Sequence, residues 1–173
     1  MNWTQAAALI VPIITLVGAI ITVAVTYTLN QRAARRERLA KAFTEALTAT
    51  EDYAQMPYRI RRRLDTPEAR YEISVELNKI QSQIAFQHAW LHIESVEVAR
   101  AYDSLIRAAR NEAGSQMKKA WATAAPTSDE QMTLETAYPR GQLDSARSAC
   151  ITAMRAALGR RHTNNQEVPN LPR

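Results

Sequence analysis

The sequence predicts an all-α protein, in which an N-terminal transmembrane helix is followed by an antiparallel cytoplasmic bundle of three to four helices. Only four of the 173 residues are glycine, and alanine, the residue that favours helices most, is abundant. A long segment near the N-terminus carries no charge, and apolar residues elsewhere recur at alternating steps of four and three. The predicted parts are an extracytoplasmic segment at 1–5, the transmembrane helix at 6–29, the bundle at 30–159 and a disordered tail at 160–173.

The transmembrane helix is predicted from the absence of charged residues between positions 6 and 29. A helix of this length reaches about 36 Å, which exceeds a hydrocarbon core of about 30 Å. Within that core each backbone polar group needs an internal partner, so the segment must be helical. No basic segment precedes it and no small-residue cleavage site follows it, which argues against a cleaved signal peptide.

Basic residues follow the apolar segment, whereas no lysine or arginine precedes it. The positive-inside rule therefore predicts a single-pass protein of the plasma (inner) membrane, with its N-terminus outside and its C-terminal domain in the cytoplasm. The same residues are placed to contact anionic lipid head groups, at about 1 kcal/mol for each basic side chain near the surface. This juxtamembrane basic group consists of Arg32, Arg35, Arg36, Arg38 and Lys41.

Small residues share one face of the predicted transmembrane helix, because they are spaced by three, four and four positions. Small side chains allow two helices to approach closely, and hydroxyl groups can hydrogen-bond across the contact. The pattern predicts a homo-oligomer; alternatively, the threonines bond only to their own helix. The residues of this face are Thr15, Gly18, Thr22 and Thr26.

The bundle is predicted from the four-and-three spacing, which places apolar side chains along one side of each helix. The first helix continues from the membrane span to about Met56, and a kinked continuation past Pro57 to Arg63 is the alternative. The predicted inward positions of the four helices are Leu39, Phe43, Ala46, Thr50, Tyr53, Pro57, Ile60 and Leu64; Ile73, Leu77, Ile80, Ile84, Gln87 and Leu91; Val98, Tyr102, Leu105, Ala109, Met117 and Trp121; and Leu143, Ala146, Cys150, Met154 and Ala157.

Capping signals set the limits of the later helices. Thr66 followed by a proline starts the second helix, which extends to about His92. Ser95 caps a third helix to about Thr123, residues 124–138 form a loop, and a fourth helix ends near Leu158. Because no glycine or proline separates the second helix from the third, the two can also form one continuous rod.

A second basic group, the distal arginines, consists of Arg59, Arg61, Arg62 and Arg63. In an upright bundle these residues lie too far from the membrane for topology or lipid to explain them. One interpretation is internal pairing with the acids of the 124–138 loop, and the other is an acidic protein partner. Nucleic acid is disfavoured as a partner, because interleaved aromatic residues and a recognisable binding motif are missing.

Two histidines, His88 and His92, are spaced as metal ligands on one helix can be, with Glu94 nearby. Without an evident third ligand, partial burial as packing residues is the preferred interpretation, and the pair is only a weak metal candidate. Cys150 is the single cysteine, so an internal disulfide is excluded, and an alanine-rich helical context favours a buried, inert thiol. No catalytic residue and no cofactor is predicted.

Three segments, at 51–63, 80–91 and 137–159, resemble small single-pass membrane proteins of actinobacteria and their phages. The resemblance implies an origin and no activity. The sequence thus favours a non-catalytic, self-associating interaction or scaffold module on the membrane. The alternatives are a phage or prophage protein for superinfection exclusion or phage defence, and an enzyme or metal-binding protein with an unrecognised site.

Overall fold

A computed structural model describes residues 3–132 and 137–159 of the chain, with side chains from residue 19 onward other than that of Asp129. In these ranges all regular structure is helical and no strand is present, which confirms the predicted all-α class. The helices are α1 (Trp3–Arg61), α2 (Pro67–Glu94), α3 (Val96–Ala122) and α4 (Gly141–Gly159), with a short 3₁₀ helix (Asp129–Met132) before α4.

The chain divides into two units, Met1–Lys41 and Ala42–Arg173. In the first unit α1 exposes every side chain from Ala19 to Arg38, including a run of isoleucine, valine and leucine up to Leu29. Among the residues that the structure describes, no helix has a stretch long and apolar enough to cross a membrane. The side chains of residues 6–18, more than half of the predicted span, lie outside the described part, as does the predicted tail, so both stay predictions.

In the second unit α1 runs through Pro57 and ends at Arg61, as the continued register allowed. Pro57 is fully buried, and the apolar positions from Phe43 to Ile60 face inward as predicted. Leu64 does not: its side chain is 67% exposed, because the helix ends three residues earlier and the periodicity no longer applies. The inward prediction for this residue was wrong.

α2 and α3 are two separate helices and not one continuous rod. The sequence had left both arrangements open. Ser95 adopts an extended backbone (φ −161°, ψ 110°) and is the only residue between them. Its Oγ accepts the N–H of Val98 at 3.4 Å, and its own N–H donates to the carbonyl of Leu91 at 2.9 Å. One serine thus ends one helix and caps the next, without a glycine or proline.

The four helices of the second unit alternate in direction. Glu45 accepts a hydrogen bond from Gln87, whereas Arg59, further along α1, pairs with Glu76, earlier on α2, so α1 and α2 are antiparallel. The one-residue link makes α3 turn back along α2, and the segment before α4 lies against the second half of α3. The predicted antiparallel order of neighbours is therefore confirmed within the described ranges.

Most of the buried residues belong to α3 and to the second half of α1. Of the described helices after α1, α3 contributes eleven buried residues, α2 four and α4 three, so α2 and α4 lie on the outside of this pair. Tyr102 is fully buried, and its hydroxyl donates to the carbonyl of Ala46 at 3.1 Å. Thr50 Oγ1 lies 3.3 Å from the tyrosine oxygen and can donate to it. Burial raises the pKa of Tyr102, so the phenol stays neutral and its polar end is satisfied in the core.

The outer helix α4 presents Leu143, Cys150 and Met154 to the core, as the spacing predicted. Burial raises the pKa of the Cys150 thiol to about 11, which keeps it protonated at neutral pH. The thiolate is the reactive form of cysteine, so the interpretation as an inert packing residue agrees with the structure.

Gly114 within α3 provides a test of this packing. A methyl group at this position would meet only Tyr53 Oη, at 3.8 Å, an ordinary contact distance. Because glycine in a helix loses more backbone entropy than alanine, Gly114→Ala should raise the free energy of unfolding by about 0.5–1 kcal/mol. Urea unfolding of the purified chain in detergent measures this. Gly159→Ala, at the end of α4, is the control and should change stability less; a loss of stability in Gly114→Ala would contradict the packing.

Candidate functional site

Glu51 is the centre of the strongest ionic cluster in the described part of the chain. Arg140, just before α4, donates to both carboxylate oxygens at 2.7 and 2.8 Å, and Arg147 also pairs with one of them. Gln55 donates to the same carboxylate at 3.1 Å. The hydrogen bond from Arg140, followed by those of the other donors, outweighs desolvation and lowers the pKa of Glu51 to about 2. The cluster joins α4 to α1, so its role is structural.

The start of α4 is fixed by further side chains. Glu112 of α3 accepts the N–H groups of Gln142 and Leu143 at 2.9 and 3.0 Å, which satisfies two free donors at the helix N-terminus. Gln116 donates to the carbonyl of Pro139 at 2.8 Å. A cavity of about 330 Å³ lies here, and Glu112 and Gln116 in its wall both bond to the start of α4. These two side chains therefore orient the helix.

The distal arginines are largely used within the chain. Arg59 pairs with Glu76 of α2, and Arg61 donates to the carbonyl of Ala124 at 3.2 Å. Arg63 donates to Ala120 and Thr123 carbonyls at 3.1 and 2.8 Å, and its guanidinium lies 4.9 Å from the centre of the Trp121 ring. The last carbonyls of a helix lack intrahelical partners, which explains why Arg63 caps α3 there.

The predicted partners of these arginines therefore differ from the observed ones. The arginines bond to carbonyl groups at the end of α3 and to a glutamate of α2, whereas acids of the 124–138 loop were the expected partners. Within that loop, residues 133–136 and the side chain of Asp129 lie outside the described part of the chain. Arg62 is exposed, and no side-chain contact of it is seen in the described ranges. Of the four, it alone keeps its guanidinium available for a partner.

His88 and His92 of α2 meet Asp103 of α3 in a three-membered cluster. His88 Nε2 lies 2.5 Å from Asp103 Oδ1 and 3.1 Å from His92 Nε2. His92 Nε2 lies 3.8 Å from Asp103 Oδ2. Their side chains are between 31% and 45% exposed, so the cluster is at the surface and not in the core. The sequence indicated the histidines by their spacing but gave no sign of Asp103, which is brought near by the bend at Ser95.

The outward side of α2, opposite its buried residues, is also apolar. Its large exposed side chains are Tyr71 (71%), Val75 (49%), Phe86 (65%) and Ile93 (83%). Between them lie exposed small residues, among them Ser82 and Ala89. We call this surface the outer face of α2. Sequence reasoning missed it because the inward spacing of the same helix had already accounted for most of its branched residues.

The sequence predicted a small-residue face and a juxtamembrane basic group in the first unit, and their described side chains are exposed. Thr22 and Thr26 of the small-residue face are exposed, whereas Thr15 and Gly18 lie outside the described side chains. All five residues of the juxtamembrane basic group are exposed. Arg38 Nε approaches the carbonyl of Ala34 at 3.4 Å, a local contact within the helix.

No protein-family model matches the sequence, and neither curated proteins nor solved structures give a significant match.

Substitution of Glu51 tests the ionic cluster. Because its pKa is lowered by folding, its stabilising contribution is complete above pH 4.5 and is lost as the pH falls toward 2. We expect Glu51→Gln to cost about 2–3 kcal/mol at pH 7 and to flatten the decline of stability between pH 4.5 and 2. Unfolding titrations across this range measure both effects. Glu72→Gln, an exposed carboxylate on α2, is the control; if the two variants behave alike, the cluster does not stabilise the bundle.

Proposed function

We propose that this chain is a membrane-anchored helical interaction module, non-catalytic in itself, that self-associates through the outer face of α2. The main support for the proposal is that α2 carries large apolar side chains on two opposite sides. Ile80, Ile84 and Leu91 are buried in the bundle, while Phe86 and Ile93 are directed to the outside. Several large apolar side chains exposed on one side of a helix are typical of an interaction site.

The spacing of the outer face suits helix–helix pairing. Val75, Ser82 and Ala89 recur every seven residues along α2, and all three are exposed. Residues at this spacing lie along one seam of a helix, as in a coiled coil. The small side chains in the middle of the seam permit close approach, and the aromatic and branched residues beside it supply apolar area.

The occupant that fits this face is a second copy of the chain. A helix of 28 residues is about 42 Å long, and a strip about 10 Å wide along it covers about 400 Å². A stable interface in solution buries about 800 Å² on each partner, so this face alone gives weak association. Anchoring both copies in one membrane raises their effective concentration and compensates for the small area.

Membrane anchoring is supported by the first unit. Residues 6–29 carry no charge, and the described portion of that segment exposes its apolar side chains. The juxtamembrane basic group that follows is exposed and suits contact with anionic head groups. In this proposal the chain lies in the plasma membrane with its N-terminus outside and α2 in the cytoplasm, and the small-residue face of the anchor contributes to the same association.

Of the distal arginines, Arg62 suits an acidic protein partner best, because it is exposed and no contact of its side chain is seen in residues 3–132 and 137–159. One exposed arginine at a rim supplies little affinity by itself. The outer face of α2 is therefore the main interaction surface of the proposal.

Cysteine crosslinking of the full chain in liposomes tests self-association. The native Cys150 is buried and its pKa is raised, so the wild-type chain gives the background level of crosslinking. We expect Ser82→Cys, on the outer face, to give a covalent dimer with a short bis-maleimide. The matched control Ser148→Cys, exposed on α4, should give none above the wild-type chain.

The same assay identifies the surface. Adding Phe86→Glu to the Ser82→Cys variant should reduce the dimer several-fold, because a charge would be buried in an apolar contact. Equal crosslinking at positions 82 and 148 would indicate random collision and would contradict the proposal, as would an unchanged dimer in the Phe86→Glu variant.

A further inference from the structure

We propose that His88, His92 and Asp103 form a binding site for a divalent transition-metal ion of the zinc type, with a coordination position open to solvent. The site joins α2 to α3. It does not depend on the self-association proposed above.

The distances within the cluster suit a shared ion. In a tetrahedral zinc site each ligand atom lies about 2.0–2.2 Å from the metal, so ligand atoms lie about 3.3 Å from one another. Here the two Nε2 atoms lie 3.1 Å apart, His88 Nε2 lies 2.5 Å from Asp103 Oδ1, and His92 Nε2 lies 3.8 Å from the other carboxylate oxygen, Oδ2. One ligand atom from each of the three residues therefore falls within 4.8 Å of the others. The rings of His88 and His92 are nearly perpendicular, at 80°, and their Nε2 atoms lie 3.1 Å apart. Small changes in side-chain torsion would equalise the three distances.

Hydrogen bonding alone leaves this arrangement unsatisfied. A neutral imidazole nitrogen is either a donor or an acceptor, and has one position in the ring plane for either role. His88 Nε2 meets a carboxylate oxygen and a second imidazole nitrogen at once. If it donates to Asp103, it has no lone pair for His92. If both rings carry their proton on Nε2, two N–H donors face each other across 3.1 Å. A cation held by two lone pairs and a carboxylate satisfies all three groups.

The local fold sets these groups in place without any loop. His88 and His92 are one turn apart on α2, so their side chains leave the same side of the helix. The bend at Ser95 returns the chain along α2, and Asp103 comes to lie opposite them two turns into α3. The carboxylate of Asp103 and the two imidazoles are groups that can donate lone pairs to a cation.

The donor set selects the class of metal. Two imidazoles and one carboxylate suit zinc and neighbouring first-row ions, whereas magnesium and calcium prefer ligands that are all oxygen. Partial exposure of the three side chains gives the ion direct access from solvent and leaves space for a water in the fourth position. Because the ligands come from two helices, the bound ion stabilises the α2–α3 pair, and the outer face of α2 becomes more rigid.

Calorimetric titration of the full chain with zinc chloride, in detergent and without a histidine tag, tests the site. We expect saturable binding of one ion per chain, no comparable binding of magnesium, and a rise of several degrees in the unfolding temperature. Cobalt substituted at the site should absorb in the visible range, as four-coordinate cobalt does. His88→Gln and Asp103→Asn should each weaken zinc binding at least about tenfold and remove the cobalt band.

The chain offers a matched control, because its third histidine, His162, lies far along the sequence from the cluster. His162→Gln should bind zinc as the wild-type chain does. Helix content from circular dichroism checks folding of each variant, and His92→Gln replaces any ligand variant that fails to fold. No saturable zinc binding, equal binding in the ligand variants, or loss of binding in His162→Gln would overturn the proposal.

Discussion

The buried side of α3 is the constraint on which the bundle depends. It runs almost without interruption from Val98 to Ala120, and every other helix of the second unit is held against it. Tyr102 hydrogen-bonds to α1, Glu112 caps α4, and Asp103 meets the histidines of α2. Arg63 in turn caps the end of α3. Because α3 is surrounded in this way, its polar side chains act as attachment points for its neighbours.

This arrangement explains why α2 is left with an apolar outer face. The helix lies at the outside of the pair formed by α1 and α3, so only one of its sides can be buried. Burial of Ile80, Ile84 and Leu91 fixes the rotation of α2, and that rotation directs Phe86 and Ile93 outward. Burying apolar surface of this size against a partner releases free energy in proportion to its area. Folding thus creates the surface that the proposed association uses.

Local sequence signals predicted much of the fold. Thr66 before a proline and Ser95 marked helix starts that the structure confirms. The four-and-three spacing identified buried positions on each helix, whereas α3 also buries residues outside that spacing, such as Ala99 and Ile106. The spacing failed at Leu64, where the helix had ended. Whether α2 and α3 were one rod depended on the backbone of a single serine, which can continue or end a helix according to what packs around it.

The clusters were not predictable in the same way. Glu51 and Arg140 are 89 residues apart, so nothing in their local sequence links them. His88 and His92 carried a local signal, but the third ligand belongs to the next helix and becomes a neighbour only because of the bend. The same limit applies to Arg63, whose partners are backbone carbonyls that have no sequence signature. Local periodicity specifies which side of a helix is buried, whereas pairing between helices requires the three-dimensional arrangement.

The central claim is that two membrane-anchored chains pair through the outer face of α2. Pulsed electron paramagnetic resonance on the full chain in liposomes, with a spin label at Ala89→Cys, measures this distance directly. Packed helices lie about 8–10 Å apart, so the account predicts a narrow interspin distribution below about 25 Å after allowance for the label arms. A broad distribution beyond about 40 Å, or no dipolar signal above that of labels at Ser148→Cys, would contradict it.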